Sequence, residues 1–121
     1  MQYDANAPIW LQVMSSLELD MVTGKRPPGE KLPGGRDLAV QYGINPNTAS
    51  RVYQELERKG LCETRRGLGT FVTTDGARLE GLRREMAQRA VSQFLSSMDH
   101  LGISRTEAAR MILEEEKICQ T

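Results

Sequence analysis

The stretch Asn45-Pro-Asn-Thr-Ala-Ser-Arg-Val-Tyr-Gln-Glu-Leu-Glu-Arg-Lys59, followed by Gly60, has the features of one helix with defined ends. Asn45 is a good N-cap, because its side-chain oxygen can accept an unpaired backbone N–H at the helix start. Pro46 then falls at the first helical position, where its missing N–H costs nothing. Gly60 is typical of the residue just after a helix, where a left-handed backbone is common.

This helix has an apolar face and a polar face. The apolar residues follow the i, i+3, i+4, i+7 spacing of a buried side; they are Ala49, Val52, Tyr53 and Leu56. The opposite face carries Asn47, Arg51 and Gln54, with Ser50 at its edge. Arginine reads guanine, and asparagine and glutamine read adenine. The polar face is therefore a candidate DNA-reading surface, with an ordinary solvated helix face as the alternative.

An earlier helix is predicted between Pro8, which can open a first turn, and Gly24. Its apolar residues recur at helical spacing; they are Ile9, Trp10, Val13, Met14, Leu17, Met21 and Val22. We interpret Trp10, the single tryptophan, as a packing anchor rather than a ligand contact. Two prolines then end the helical pattern, and Glu30–Pro33 is predicted to be a short extended piece.

A second helix is predicted from Gly34 or Gly35 to Tyr42, with Leu38, Ala39 and Tyr42 facing inward. Gly43 ends it, and the helix from Pro46 follows after a short turn. Two helices joined by a glycine-containing turn form the helix-turn-helix pattern.

A β-hairpin is predicted directly after this pair of helices. Two β-type runs, Leu61–Arg65 and Thr70–Thr73, flank Arg66-Gly-Leu-Gly69, whose glycines permit a tight turn. Arg65 and Arg66 then lie at the tip or just before it. A helix-turn-helix followed by a basic hairpin is a winged helix, whose recognition helix enters the major groove while the wing reaches an adjacent groove or the backbone.

Composition and charge limit the classes of ligand and the cell compartments that fit this chain. The chain has 121 residues, with 16 basic and 16 acidic, so its zero net charge does not by itself favour a nucleic-acid ligand. Residues 31–72, however, hold seven basic and four acidic side chains, a local charge of +3. No apolar run is long enough to span a membrane and the first residues do not resemble a signal peptide, so we expect a cytoplasmic protein. Cys62 and Cys119 are expected to be reduced thiols.

Nothing in the sequence favours catalysis. His100 is the only histidine, so the sequence offers a single imidazole to a histidine-based metal site or a catalytic triad. Gly67-Leu-Gly69 is too short for a dinucleotide-binding motif, and a hairpin turn fits it better. We therefore expect no enzyme activity, no catalytic residues, no metal and no cofactor.

Seven ordered blocks between residues 8 and about 73 resemble the GntR family of bacterial transcription regulators. They are Pro8-Ile-Trp-Leu-Gln12, Gly29-Glu-Lys-Leu-Pro33, Arg36-Asp-Leu-Ala39, Asn45-Pro-Asn-Thr48, Tyr53-Gln-Glu-Leu-Glu57, Lys59-Gly-Leu61 and Arg66-Gly-Leu-Gly-Thr-Phe-Val72. The Asn-Pro-Asn-Thr block and the short C-terminal part are most similar to its YtrA-type subfamily. The sequence departs from the family at Gly34-Gly35, where a serine-type cap followed by a larger residue is usual.

The resemblance implies a winged-helix domain that binds operator DNA as a homodimer. It implies DNA contacts by Arg36, by the start of the recognition helix from Asn45 to Arg51, and by the wing glycines Gly67 and Gly69. We expect Asn47, Ser50 and Arg51 to read or approach bases. The other expected contacts, to phosphate or the minor groove, are made by Lys31, Arg36, Thr48, Arg65 and Arg66. The predicted DNA-binding set is completed by Asn45 and Pro46.

The tail predicts a long helix from about Ala77 to Met98 and, after Gly102, a second one started by a Ser104–Glu107 capping box. Two helices bury a long apolar stripe poorly, so we expect a second copy of the chain to cover it. The alternative is that the two helices fold back onto their own winged helix. The predicted dimerisation residues are Leu79, Leu82, Met86, Ala90, Phe94, Met98, Met111 and Ile112.

The sequence thus predicts a mainly α-helical chain with one small β-hairpin. Residues 1–75 form the winged helix-turn-helix domain and residues 76–121 form the helical dimerisation region. The predicted function is sequence-specific transcription repression by a homodimer on a two-fold symmetric DNA operator. The alternative is a winged-helix protein-interaction module that does not use DNA as its ligand. Whether a small-molecule effector binds is left open.

Overall fold

The computed structural model describes residues 2–120, and their side chains as far as residue 115. Within this range it contains five helices and one antiparallel hairpin, so the predicted fold class is confirmed. In chain order the elements are α1 (Ile9–Val22), α2 (Gly35–Tyr42), α3 (Pro46–Arg58), β1 (Cys62–Arg65), β2 (Gly69–Val72), α4 (Gly76–His100) and α5 (Arg105–Gln120).

The chain divides into two compact units, Met1–Arg83 and Arg84–Thr121. This division falls inside α4, later than the domain boundary predicted after residue 75. The helix α4 itself begins at Gly76, because it is capped by Asp75. Its side-chain oxygen Oδ1 accepts hydrogen bonds from the backbone N–H groups of Ala77 at 3.1 Å and Arg78 at 3.2 Å.

The core of the first unit forms where α1 and α2 pack against α3. The side chains with the least exposure come from all three helices and from the hairpin region. They are Val13, Leu17, Leu38, Val52, Leu56, Leu61 and Val72. The predicted apolar stripes of these helices therefore do face the core, except that Ile9, in the first turn of α1, is 46% exposed.

A buried ion pair joins α1 to the end of α3. The Lys59 Nζ atom donates to the Glu18 Oε2 atom at 2.7 Å, and the Glu18 side chain is only 7% exposed. A buried carboxylate without a partner would be strongly destabilising, so this pairing holds the C-terminal end of α3 at one place on α1.

The hairpin pairs Cys62 with Val72 at its base and Arg65 with Gly69 next to its tip. A third extended segment, residues 30–33, lies beside β2. The Leu32 N–H donates to the Thr70 carbonyl at 2.7 Å, and the Val72 N–H donates to the Glu30 carbonyl at 2.9 Å. The wing is therefore anchored to the segment between α1 and α2.

In the second unit, α5 begins where the capping box was predicted. The Glu107 N–H donates to Ser104 Oγ at 3.2 Å. The turn before it contains Gly102 with φ of 75°, and the Ile103 N–H reaches the Met98 carbonyl at 3.0 Å. A left-handed glycine with this bond satisfies the carbonyls at the end of α4.

Candidate nucleic-acid interface

The start of α3 is fixed by the predicted cap. The Asn47 N–H donates to the Asn45 Oδ1 atom at 2.7 Å, and Pro46 is the first helical residue. Asn45, Pro46 and Asn47 are all exposed. The first turn of α3 is thus both rigid and open to a ligand.

The polar face of α3 is the solvent-facing face. Asn47, Ser50 and Arg51 are exposed and Thr48 is half-buried. The residues on the opposite side, Ala49, Val52 and Leu56, have no exposed surface. Because the core holds α3 from one side, the predicted base-contacting side chains share the other.

Arg51 has an aromatic neighbour that the sequence did not reveal. Its guanidinium carbon lies over the ring of Trp10, 4.2 Å from the ring centroid. Trp10 is half-buried in the first turns of α1, so it is partly the packing residue that was predicted. The contact of Trp10 with Arg51 joins residues far apart in sequence, and the sequence carries no signal for it.

The wing presents its basic residues in two different ways. Arg65 lies along the hairpin, with its guanidinium carbon 4.6 Å from the centroid of the Phe71 ring and Nε 3.7 Å from the Glu63 carboxylate. Arg66 and Gly67 are exposed in the turn. Of the two predicted wing arginines, Arg66 is therefore the one at the tip.

Lys31 lies beside β2 of the wing. It is exposed and is bridged to Phe71. Its side chain runs beside Gly69, where an added Cβ would come within 2.8 Å of the Lys31 Cε atom. Gly69 has φ of 123°, a conformation that favours glycine. Arg36, the remaining predicted contact, is exposed in the first turn of α2.

Two polar side chains, the half-buried Tyr53 and the buried Cys62, support α3 from its core side. The Tyr53 hydroxyl donates to the Pro33 carbonyl, and burial raises the pKa of Tyr53 well above its usual range, so it stays a donor. The Cys62 thiol lies 3.7 Å from the Tyr53 carbonyl. Burial, and secondarily the Glu57 carboxylate, raises the pKa of Cys62 to about 12. This thiol is therefore protonated and unreactive at neutral pH. Cys62 is a free thiol, in agreement with the expected reduced state, whereas the Cys119 side chain lies outside the described residues.

The predicted dimerisation residues separate into two groups. Leu79 and Leu82 belong to the first unit and are only 8% and 4% exposed within one chain, so they offer little surface to a partner. Their burial within one chain argues against a partner contact for these two leucines. In the second unit Ala90 is exposed, Met111 and Ile112 are 43% and 53% exposed, and three residues are half-buried; these are Met86, Phe94 and Met98.

The described residues contain neither a metal-binding cluster nor a membrane-spanning helix. No group of three or more His, Cys, Asp or Glu side chains among them is placed to hold a metal ion. No helix within the described range has the length and apolarity needed to cross a membrane.

Comparison with known proteins gives a consistent family. Residues 10–72 match the model described as "Bacterial regulatory proteins, gntR family". The chain is 36% identical to YhcF, an uncharacterised HTH-type transcriptional regulator of Bacillus subtilis, over 88% of each chain. It is 32% identical to YtrA, an HTH-type transcriptional repressor of the same organism, over 91% of this chain and 85% of the repressor.

Solved structures agree with the sequence matches. A GntR family transcriptional regulator from Listeria monocytogenes superposes with a TM-score of 0.85 at 33% identity, covering 93% of this chain and 98% of the other. The DNA-binding domain of AraR, solved in complex with operator ORX1, matches with a TM-score of 0.54 at 30% identity. That match covers 55% of this chain and 81% of the AraR domain.

Proposed function

The chain belongs to the GntR family of bacterial regulatory proteins, and from this premise we propose that it is a cytoplasmic, sequence-specific transcription repressor that binds a two-fold symmetric operator as a homodimer. The family consists of transcriptional regulators, not enzymes. The observation that carries the proposal is the exposed polar face of α3, with Asn47, Ser50 and Arg51 on one side of a capped helix.

The proposed contacts follow from where each side chain lies. Asn47, Ser50 and Arg51 approach base edges, because the first half of a recognition helix is the part that enters the major groove. The contacts to phosphate or the minor groove are made by Lys31, Arg36, Thr48, Arg65 and Arg66, of which Arg66 is exposed in the wing turn. Asn45 and Pro46 shape the start of α3. Gly67 and Gly69 allow the wing turn to approach the DNA backbone.

Residues 1–75 are proposed as the DNA-binding domain and residues 76–121 as the dimerisation region. The half-exposed apolar side chains of α4 and α5 support a second copy as the partner, because a surface of this kind is costly to leave in water. The dimer surface we propose comprises Met86, Ala90, Phe94, Met98, Met111 and Ile112. Leu79 and Leu82 are left out because they are buried.

Two relatives support the finer parts of the proposal. The relative YtrA is named a transcriptional repressor, which supports repression by this chain. The AraR DNA-binding domain was solved on an operator, which supports operator DNA as the ligand.

The experiment that tests the proposal is selection of duplexes from a random DNA library by the full chain at roughly physiological salt, where non-specific binding is weak. We expect enrichment of a two-fold repeat whose half-sites are one helical turn, or a multiple of it, apart. A folded chain that enriches no sequence would contradict the proposal and favour the protein-interaction module.

Arg51→Ala separates base reading from phosphate binding on the selected duplex. If Arg51 reads a guanine, the variant loses about 1–3 kcal/mol of binding free energy and its preference at one base pair. Arg58→Ala is the matched control, because Arg58 is an exposed arginine at the other end of α3 that pairs with Glu55 at 2.8 Å. A loss that is equal on all sequences would make Arg51 a phosphate contact instead.

A further inference from the structure

The contact between Trp10 and Arg51 joins two separate parts of the first unit. Trp10 lies in the first turns of α1, and Arg51 lies on the exposed face of α3. The two helices pack together, and the guanidinium carbon is 4.2 Å from the indole centroid. Trp10 is half-buried, so the core limits the movement of its ring, while Arg51 stays exposed.

This contact holds a cation without using its hydrogen-bond donors. A guanidinium is attracted to an indole through its face, whereas its five N–H groups point outward in its own plane. Arg58 is different, because its Nε and Nη2 atoms both donate to the Glu55 carboxylate, at 2.9 and 2.8 Å. Arg65 is also within ion-pair distance of a carboxylate. In the described part of the chain no carboxylate lies within ion-pair distance of Arg51, so its donors remain available to a base.

We propose that Trp10 is a positioning residue for DNA recognition, whose indole face holds the Arg51 guanidinium in place on the reading face of α3. The inference rests on the proposed function, in which Arg51 reads a base. An unrestrained arginine loses much side-chain freedom on binding, and an arginine already held on a ring loses less. Trp10 therefore adds affinity and base preference through Arg51, although Trp10 itself needs no contact with DNA.

This role has a signature that simple packing does not share. Loss of the ring weakens discrimination at the one base pair read by Arg51 and leaves the other positions unchanged. The salt dependence of binding also stays the same, because the number of neutralised phosphates does not change.

The test is a double-mutant cycle with the full chain on the duplex selected from the random library. Its members are the wild type, Trp10→Leu, Arg51→Ala and the double variant, with an unrelated duplex of equal length as the reference DNA. We expect Trp10→Leu to weaken binding about two- to fivefold, the factor that corresponds to an exposed cation–π contact. In the Arg51→Ala background the same change should have no measurable effect, since the residue it acts through is gone.

Variants that keep an aromatic ring at position 10 allow the test even if Trp10→Leu is too unstable to fold. Trp10→Tyr and Trp10→Phe keep a ring but a weaker attraction for cations, since indole is the best of the three. Their affinities should fall between those of the wild type and Trp10→Leu, and should become equal once Arg51 is alanine. Unfolding midpoints are measured on every variant, and the ring series alone carries the test if Trp10→Leu is unfolded at the assay temperature.

Two other results would contradict either the role of Trp10 or the proposed function. If a Trp10 substitution has the same effect with and without Arg51, or weakens all base positions alike, Trp10 is only a packing residue and the inference is wrong. If the wild type itself enriches no duplex, the proposed function fails, and the inference fails with it. The two failures are distinguished by whether the wild type binds.

Discussion

At the scale of single residues, neighbouring side chains at the start of α3 have separate tasks. Asn45 uses its side-chain oxygen to cap the helix, so what it can offer a ligand is its amide N–H groups. Asn47, two residues later, gives only its backbone N–H to that cap, so its side chain is available for the proposed base contact. Stability and recognition can therefore be separated by substituting one asparagine at a time.

Asn45→Ala should lower the free energy of unfolding by about 0.5–2 kcal/mol, because the Asn47 N–H loses its acceptor. Urea denaturation of the full chain measures this change. Asn47→Ala is the control: we expect stability within about 0.5 kcal/mol of the wild type together with weaker operator binding. Equal stability losses in the two variants would show that the cap contributes little.

The buried thiol of Cys62 gives a pH dependence whose sign follows from its raised pKa. Between its ordinary value of 9.0 and its folded value of about 12, the folded chain keeps a proton that the unfolded chain has lost. The free energy of unfolding should therefore fall as the pH rises through this window, by at most about 1.4 kcal/mol per pH unit from this group.

Cys62→Ala should make that fall shallower, as measured by urea denaturation at intervals from about pH 8 to 11. Burial is the main cause of the raised pKa of Tyr53, and Cys62 is a smaller one, so most but not all of the Tyr53 contribution is common to both proteins. Parallel stability curves for the two proteins would contradict the assignment to Cys62.

At the scale of elements, the ends of helices were predictable and their long-range partners were not. Capping residues interact with groups only a few residues away, so a helix start or end can be recognised from the local sequence. Examples are Asn45, Gly60, Asp75 and Ser104. The pairing of residues 30–33 with β2 joins segments about forty residues apart, and only the folded chain shows it.

The wing depends on glycine at one position in particular. Gly69→Ala should lower the free energy of unfolding by about 1–3 kcal/mol, because φ of 123° disfavours a side chain. The end of the exposed Lys31 side chain, 2.8 Å from the new Cβ, would also have to move, which adds little because that side chain is flexible. Gly35→Ala is the matched control, since nothing lies within 4 Å of its Cβ position and its backbone is helical. That change should stabilise the chain by about 0.4–1 kcal/mol. Thermal denaturation of both variants measures these changes in stability. If both variants were more stable, or both less stable, than the wild type, the reasoning would be wrong.

At the scale of the whole molecule, apolar periodicity identified the buried faces but not what buries them. The stripe from Leu79 to Met98 looks uniform in sequence, yet Leu79 and Leu82 are buried within the chain while Val91, on the same helix, is 56% exposed. The proposed DNA-reading face could be predicted because its residue types carry the chemistry of base recognition. Trp10 was not, because a tryptophan on a core stripe has the same pattern whether or not it holds an arginine.

The proposed dimer gives a prediction at this scale. Met111→Lys combined with Ile112→Lys should shift the chain from dimer to monomer in sedimentation and weaken operator binding by more than about tenfold, because two linked half-site contacts become independent. Val40→Lys is the control, since Val40 is an apolar side chain in the first unit that is 81% exposed. An unchanged sedimentation coefficient in the double variant would remove these two residues from the dimer surface.

The position of Trp10 also makes the chain its own optical sensor. As the only tryptophan, it alone dominates the emission of the protein, and its ring lies beside a charged side chain on the proposed DNA face. Any rearrangement of Arg51 alters the electric field at the indole and hence the colour and intensity of its fluorescence. The arrival and departure of an operator are thus expected to be visible in real time, on an unlabelled protein, through a ring that lies against the arginine proposed to read a base.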